Sequence, residues 1–171
     1  MLVTEPTEQN YPDSTMAQKF FAPDSPFRHL ALTLTGVIPW LWLGLVGGIS
    51  LIETPIRFRT PPITRDGAAM LGVAIFHALA YVELCFLILL MTAVVLLRQR
   101  SMMLIVGTLG LIVAIEHAVI VPFLEIRARL LLEGIQPEPS SVHAWAMVFE
   151  AAKMLILATL GVLGWRKVIQ R

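Results

Sequence analysis

Four stretches of this chain are long and apolar enough to cross a bilayer, and three of them carry a carboxylate in their interior. Glu83 lies in FHALAYVELCFLILLM, Glu116 and His117 in LGLIVAIEHAVIV, and Glu150 with Lys153 in WAMVFEAAKMLIL. A charged side chain at the centre of a membrane helix costs about 2.5–3.5 kcal/mol on insertion scales. One such residue can be an accident of composition. Four in a chain of 171 residues imply a shared polar site.

The surrounding composition supports membrane insertion. The chain is 57% hydrophobic and 15% charged, against roughly 25% charged in a soluble domain. The expected fold is an all-α membrane protein, an antiparallel bundle of four transmembrane helices. The spans are expected at about residues 30–52, 68–97, 102–123 and 144–165, inside a membrane domain of residues 29–171. Residues 1–28 read as a polar, Pro-containing tail without the basic start and apolar run of a signal peptide. Within it, Met16 to Phe27 reads either as a membrane-surface segment resting on Phe20, Phe21 and Phe27 or as a linker.

Arg98, Gln99 and Arg100 leave room only for a tight turn between the second and third spans, so those two should be antiparallel neighbours. Lys19, Arg28, Arg98, Arg100, Arg166, Lys167 and Arg171 fall on one side of the membrane. Arg57, Arg59, Arg65, Arg127 and Arg129 fall on the other. The larger basic group favours both termini in the cytoplasm, as for a protein of a bacterial inner membrane.

The two halves of the chain also rhyme. ETPIRFR closes the first span and PFLEIRAR the third, each with an Ile-Arg-x-Arg run; FHALAYVE opens the second and VHAWAMVFE the fourth, each with His-Ala-x-Ala and a later Glu. A duplicated helical hairpin would produce this pattern, and so would chance among apolar helices. Parallel repeats of this kind occur in transporters.

Depth counting brings the polar groups to one half of the bilayer. Glu53, His77, Glu116, His117, His143, Glu150 and Lys153 all fall towards the first and third connections, with Glu83 nearest the midplane. Helical angles place Glu150 with Lys153 on one face, and His77 with Tyr81 on another. Glu116 and His117, about 100° apart, could straddle the inward direction. His77 and Glu83 differ by about 120°, which one site can use only if the helix is distorted.

Several chemistries fit such a pocket. Glu53, His77, Glu83, Glu116, His117 and Glu150 are the candidate metal or cofactor ligands. Their carboxylate and imidazole count matches a di-iron or di-manganese centre, although the Glu-x-x-His spacing of such bundles is missing. His77 and His117 could instead be axial ligands of haem b, and a quinone site could use the same groups. Glu150, Lys153, Tyr81 and His143 could form a proton relay or ion pair, as in a proton- or ion-coupled transporter or channel. The bland alternative is an accessory or structural subunit of a membrane assembly, with these groups merely satisfying one another. Arg57, Arg59, Arg127 and Arg129 are expected to line the mouth of the pocket or to bind lipid phosphate. The expected partners are the lipid bilayer and a homo-oligomer or larger membrane complex. No basic stripe with interleaved aromatics points to nucleic acid. The lone Cys85 excludes an intrachain disulfide, and no P-loop, GxSxG, HExxH or dinucleotide fingerprint occurs.

Overall fold

The structure, a computed structural model, describes residues 25–170. Residues 1–24, which carry most of the polar tail read from the sequence, lie outside the described residues, as does Arg171. Every regular element among the described residues is helical. In chain order these are α1 (Pro26–Gly47), a π turn π1 (Gly48–Glu53), α2 (Thr54–Arg57) and α3 (Arg65–Leu96). They are followed by α4 (Arg100–Ile115), a second π turn π2 (Glu116–Ile120), α5 (Val121–Leu132) and α6 (Val142–Ile169).

These elements join into four continuous spans, Pro26–Arg57, Arg65–Leu96, Arg100–Leu132 and Val142–Ile169. All are long and apolar enough to cross a membrane, which points to an integral membrane protein. Their outer surfaces agree: Leu104, Leu155, Leu51, Leu111 and Ile88 are all exposed, as lipid-facing positions must be. A span of 32 residues reaches about 48 Å at about 1.5 Å per residue. The hydrocarbon slab is about 30 Å thick, so the helices tilt or project beyond it.

Both π turns sit immediately before a proline. Pro55 and Pro122 lie at the starts of α2 and α5. Proline has no N–H to give to the carbonyl four residues back, so an α-helix there loses a rung. The chain widens instead. Thr54 N–H bonds Ile49 O and Val121 N–H bonds Glu116 O, each spanning five residues. The helices thereby run past the expected ends near Ile52 and Phe123 and continue to Arg57 and Leu132. π turns are rare and concentrate at functional sites.

Pro39 acts differently. It lies inside α1 without ending it, and it removes the usual N–H partner of the Thr35 carbonyl. Gly164 of α6 packs directly on that carbonyl: a Cβ built on Gly164 would collide with Thr35 O. Gly161 lies under the Trp40 ring in the same way, and Gly36 faces Trp165 and Val168. Small residues therefore let α1 and α6 approach closely, and this is the most extensive packing between sequence-distant elements. Gly44 and Gly48, which share a Gly-x-x-x-Gly spacing, face open space among the described residues.

The apolar core fills one half of the bundle. Ile38, Trp42 and Val46 of α1 meet Leu90 and Val94 of α3, Val106 and Leu109 of α4, and Leu157 and Leu160 of α6. The α3–α4 turn closes that end, with Gln99 N–H on Val94 O and Arg98 in a left-handed conformation (φ 51°). The polar residues occupy the other half.

Candidate functional site

One lysine organises the polar half. Lys153 is completely buried on α6. Its ammonium lies 2.8 Å from Glu83 Oε1, 2.7 Å from Glu116 Oε2 and 3.2 Å from Glu150 Oε2. Glu150 arrives from one turn earlier on the same helix. Glu83 comes from the middle of α3. Glu116 opens π2, so the wide turn that accommodates Pro122 also carries a cluster carboxylate. Its neighbour His117 points to the same cluster, with Nε2 2.7 Å from Glu83 Oε2. Two consecutive residues thus serve one site from either side of the inward direction.

Glu83 is the most heavily bonded of the three carboxylates. Trp42 Nε1 donates to its Oε1 at 2.9 Å, beside the Lys153 bond, while His117 meets Oε2. A buried indole N–H needs an acceptor, and among the described residues Glu83 is the one that Trp42 has. Ser50 Oγ in π1 donates to Glu150 Oε1 at 2.8 Å. Neither Trp42 nor Ser50 stood out in the sequence. Trp42 reads as part of an aromatic belt near a span end, yet its side chain is fully buried. The one available signal was an indole donor inside an apolar helix of a chain with unpaired intramembrane carboxylates.

The charges do not cancel. Three carboxylates face one ammonium, and His117 supplies a second cation only when protonated. Even then one negative charge is left over. Burying an unpaired charge in an apolar slab is expensive.

Beside this cluster lies a cavity of about 340 Å³. Glu116, Glu150 and Ser50 border it on the cluster side. Its apolar wall includes Val73, Phe76, Val121, Leu124 and Met147, and Arg57, Arg127 and His143 complete the lining. Every span contributes: the ends of the first and third, and the starts of the second and fourth. The volume falls at the lower end of the range for small-molecule pockets, about 300–1,000 Å³.

The remaining candidates lie apart from Lys153. Glu53 pairs with Arg57 at 3.1 Å. His77 is half-exposed and lies 3.6 Å from Glu125 Oε2. Tyr81 is 75% exposed and faces outward. His143 lines the cavity with an exposed side chain. Arg127 also lines it, donating to the Glu138 carbonyl at 2.8 Å. Arg129 pairs with Glu125 on the surface, and Arg59 is exposed.

The structure therefore joins Glu83, Glu116, His117, Glu150 and Lys153, and separates Glu53, His77 and Tyr81 from them. Among the described residues no three His, Cys, Asp or Glu side chains come together as a metal site. The point on which the three carboxylates converge is taken by the Lys153 ammonium. The two histidines considered for haem face different partners, His77 towards Glu125 and His117 towards Glu83.

Comparison with known proteins adds no relative: no family model, no curated protein and no solved structure matches this chain.

Proposed function

We propose that this protein is a proton-coupled carrier of a small ligand, in which Glu116 and Glu150 exchange the proton. The observation that carries the reading is the shared boundary: both carboxylates bind Lys153 on one side and border the cavity on the other. When His117 carries its proton, a further proton on either one removes the surplus negative charge of the cluster. A ligand entering the cavity changes the surroundings of both, so occupancy and proton binding are linked. Intramembrane carboxylate, histidine and lysine groups are the usual material of proton relays.

The finer architecture belongs to the same proposal. The spans run alternately up and down, in an antiparallel bundle built from a duplicated helical hairpin. Support comes from one common sequence offset. Pro55 and Pro122, Thr54 and Val121, Ser50 and His117, and Glu83 and Glu150 are all separated by the same number of residues. The Ser50–Glu150 bond and the His117–Glu83 contact are then the same interaction made twice, once by each pairing of the halves. The carrier would sit in a bacterial inner membrane with its termini in the cytoplasm, as a homo-oligomer or in a larger membrane complex.

The test is flux in liposomes holding a pH-sensitive dye. Purified protein should support proton movement that depends on pH and is lost in Glu116→Gln and Glu150→Gln variants that remain folded. Equal flux in empty, wild-type and variant vesicles would refute it.

A second reading, an accessory subunit of a membrane assembly, is favoured by the completeness of the network. Trp42, Ser50, His117 and Lys153 all find carboxylate partners, as a device that fixes helix register would require. That reading expects no flux and stable co-purification with other membrane proteins.

A further inference from the structure

The cavity holds a second polar feature that the proton-linked cluster does not use. Arg57 lines the cavity, and its side chain is only 5% exposed. Its Nη1 bonds Glu53 Oε1 at 3.1 Å. Among the described residues the buried Arg57 Nε–H has no hydrogen-bond partner. The guanidinium lies over the Phe58 ring, 5.4 Å from its centroid, and against Gly72, where an added Cβ would come within 2.8 Å of Nη2. Gly72 therefore clears the slot in which the guanidinium lies.

A guanidinium presents donors in a planar fork that matches the oxygens of a carboxylate or phosphate. A buried donor without an acceptor is uncommon and calls for one. A second cation of the lining strengthens the same preference. Arg127 also lines the cavity, and the acceptor it bonds is a backbone carbonyl, which leaves its positive charge unneutralised by that bond. Glu116 and Glu150, the acidic groups of the lining, are turned to Lys153. The same cavity is lined by the apolar side chains of Val73, Phe76, Leu124 and Met147.

From this arrangement we infer that the cavity binds an anionic amphiphile: a carboxylate or phosphate head held by Arg57, with an apolar body along the Phe76 and Leu124 wall. This names the ligand class for the carrier proposed above and rests on that reading for its role in transport, although the binding site itself does not. The head can belong to a free organic acid or to a bilayer lipid. A cavity of about 340 Å³ takes a short acid whole, or only the head end of a lipid.

The experiment uses the full chain in a non-ionic detergent with two probes. Octanoate binding is followed by titration calorimetry. Retention of phosphatidylglycerol, against a neutral phospholipid, is followed by native mass spectrometry. Binding of at least one probe is expected, weakened about 10- to 100-fold in Arg57→Gln, as for loss of a hydrogen bond to a charged group. Gly72→Ala is the control for misfolding, because alanine favours the helix while its methyl crowds Nη2. It should weaken the same probe without lowering thermal stability.

Octanoate alone would identify a free acid, and phosphatidylglycerol alone a lipid head. Wild-type protein that binds neither probe, or variants that bind as well as wild type, would overturn the inference. The two proposals fail separately. Probe binding without proton flux removes the carrier and leaves the anion site, whereas flux without probe binding does the reverse.

Discussion

Replacing Lys153 by methionine keeps an unbranched side chain, one atom shorter, and removes the cation that three carboxylates share. The cost does not equal the worth of three ion pairs, since a buried salt bridge offsets much of its attraction against desolvation. It comes from what is stranded. Glu83 keeps Trp42 and His117, and Glu150 keeps Ser50. Glu116 loses the Lys153 bond and is left buried against the Glu150 carboxylate. Removing one partner of a buried pair costs about 3–5 kcal/mol. A chain of this size loses about 2–4 °C of melting temperature per kcal/mol, so Lys153→Met should melt roughly 10 °C lower.

The diagnostic arm is the double variant. Adding Glu116→Gln removes the stranded charge, so Lys153→Met/Glu116→Gln should recover at least about 1 kcal/mol relative to simple additivity. Adding Glu125→Gln at the surface should recover nothing. Thermal unfolding of wild type, the three single variants and the two double variants in one detergent, followed by tryptophan fluorescence, measures both effects. A Lys153→Met protein that melts with wild type, or a double variant that is worse than additive, would refute the cluster as described.

Other expectations can be checked with the same preparation. Gly164→Ala forces a methyl into the Thr35 carbonyl and should destabilise by about 1–3 kcal/mol, whereas Gly44→Ala, which meets nothing, should not destabilise; melting curves separate the two. Trp42→Phe strands part of the Glu83 carboxylate and should cost about 1.5–3 kcal/mol. The same melting curves read this loss. Pro122→Ala restores the missing N–H, so π2 should relax towards a regular helix. Cross-linking between cysteines placed at Val119 and on α6 should then change its preferred partner, and an unchanged pattern would show that the proline does not cause the wide turn.

Much of the fold was legible because the bilayer sets so simple a rule. Long uncharged runs had to be helices, and the carboxylates of the second, third and fourth spans had to find partners. Glu116, Glu150 and Lys153 were readable from depth and helical angle. The 120° between His77 and Glu83 also carried information. α3 runs unbroken from Arg65 to Leu96, so only one of those faces could turn inward, and the Glu83 face did. His77 and Tyr81 went outward together, as their shared face required. The π turns were harder to read. Pro55 and Pro122 lie close to the expected span ends at Ile52 and Phe123, and nothing local distinguishes a proline that stops a helix from one absorbed by an extra residue in the preceding turn. Ser50 and Trp42 were hidden for a related reason: a hydroxyl or an indole is common in membrane helices, and its importance depends on which carboxylate the neighbouring helix presents.

The position of Lys153 in the chain has a consequence for assembly. A ribosome delivers the second and third spans, with Glu83 and Glu116, before the helix bearing the cation exists. Until α6 is inserted, those carboxylates must be protonated, held in the translocation machinery or left near water. The α1–α6 seam at Gly36 and Gly164 also waits for that last helix. Insertion of the final span therefore neutralises the cluster and closes the bundle in one event, and a nascent chain arrested before residue 153 should remain a substrate for membrane quality control.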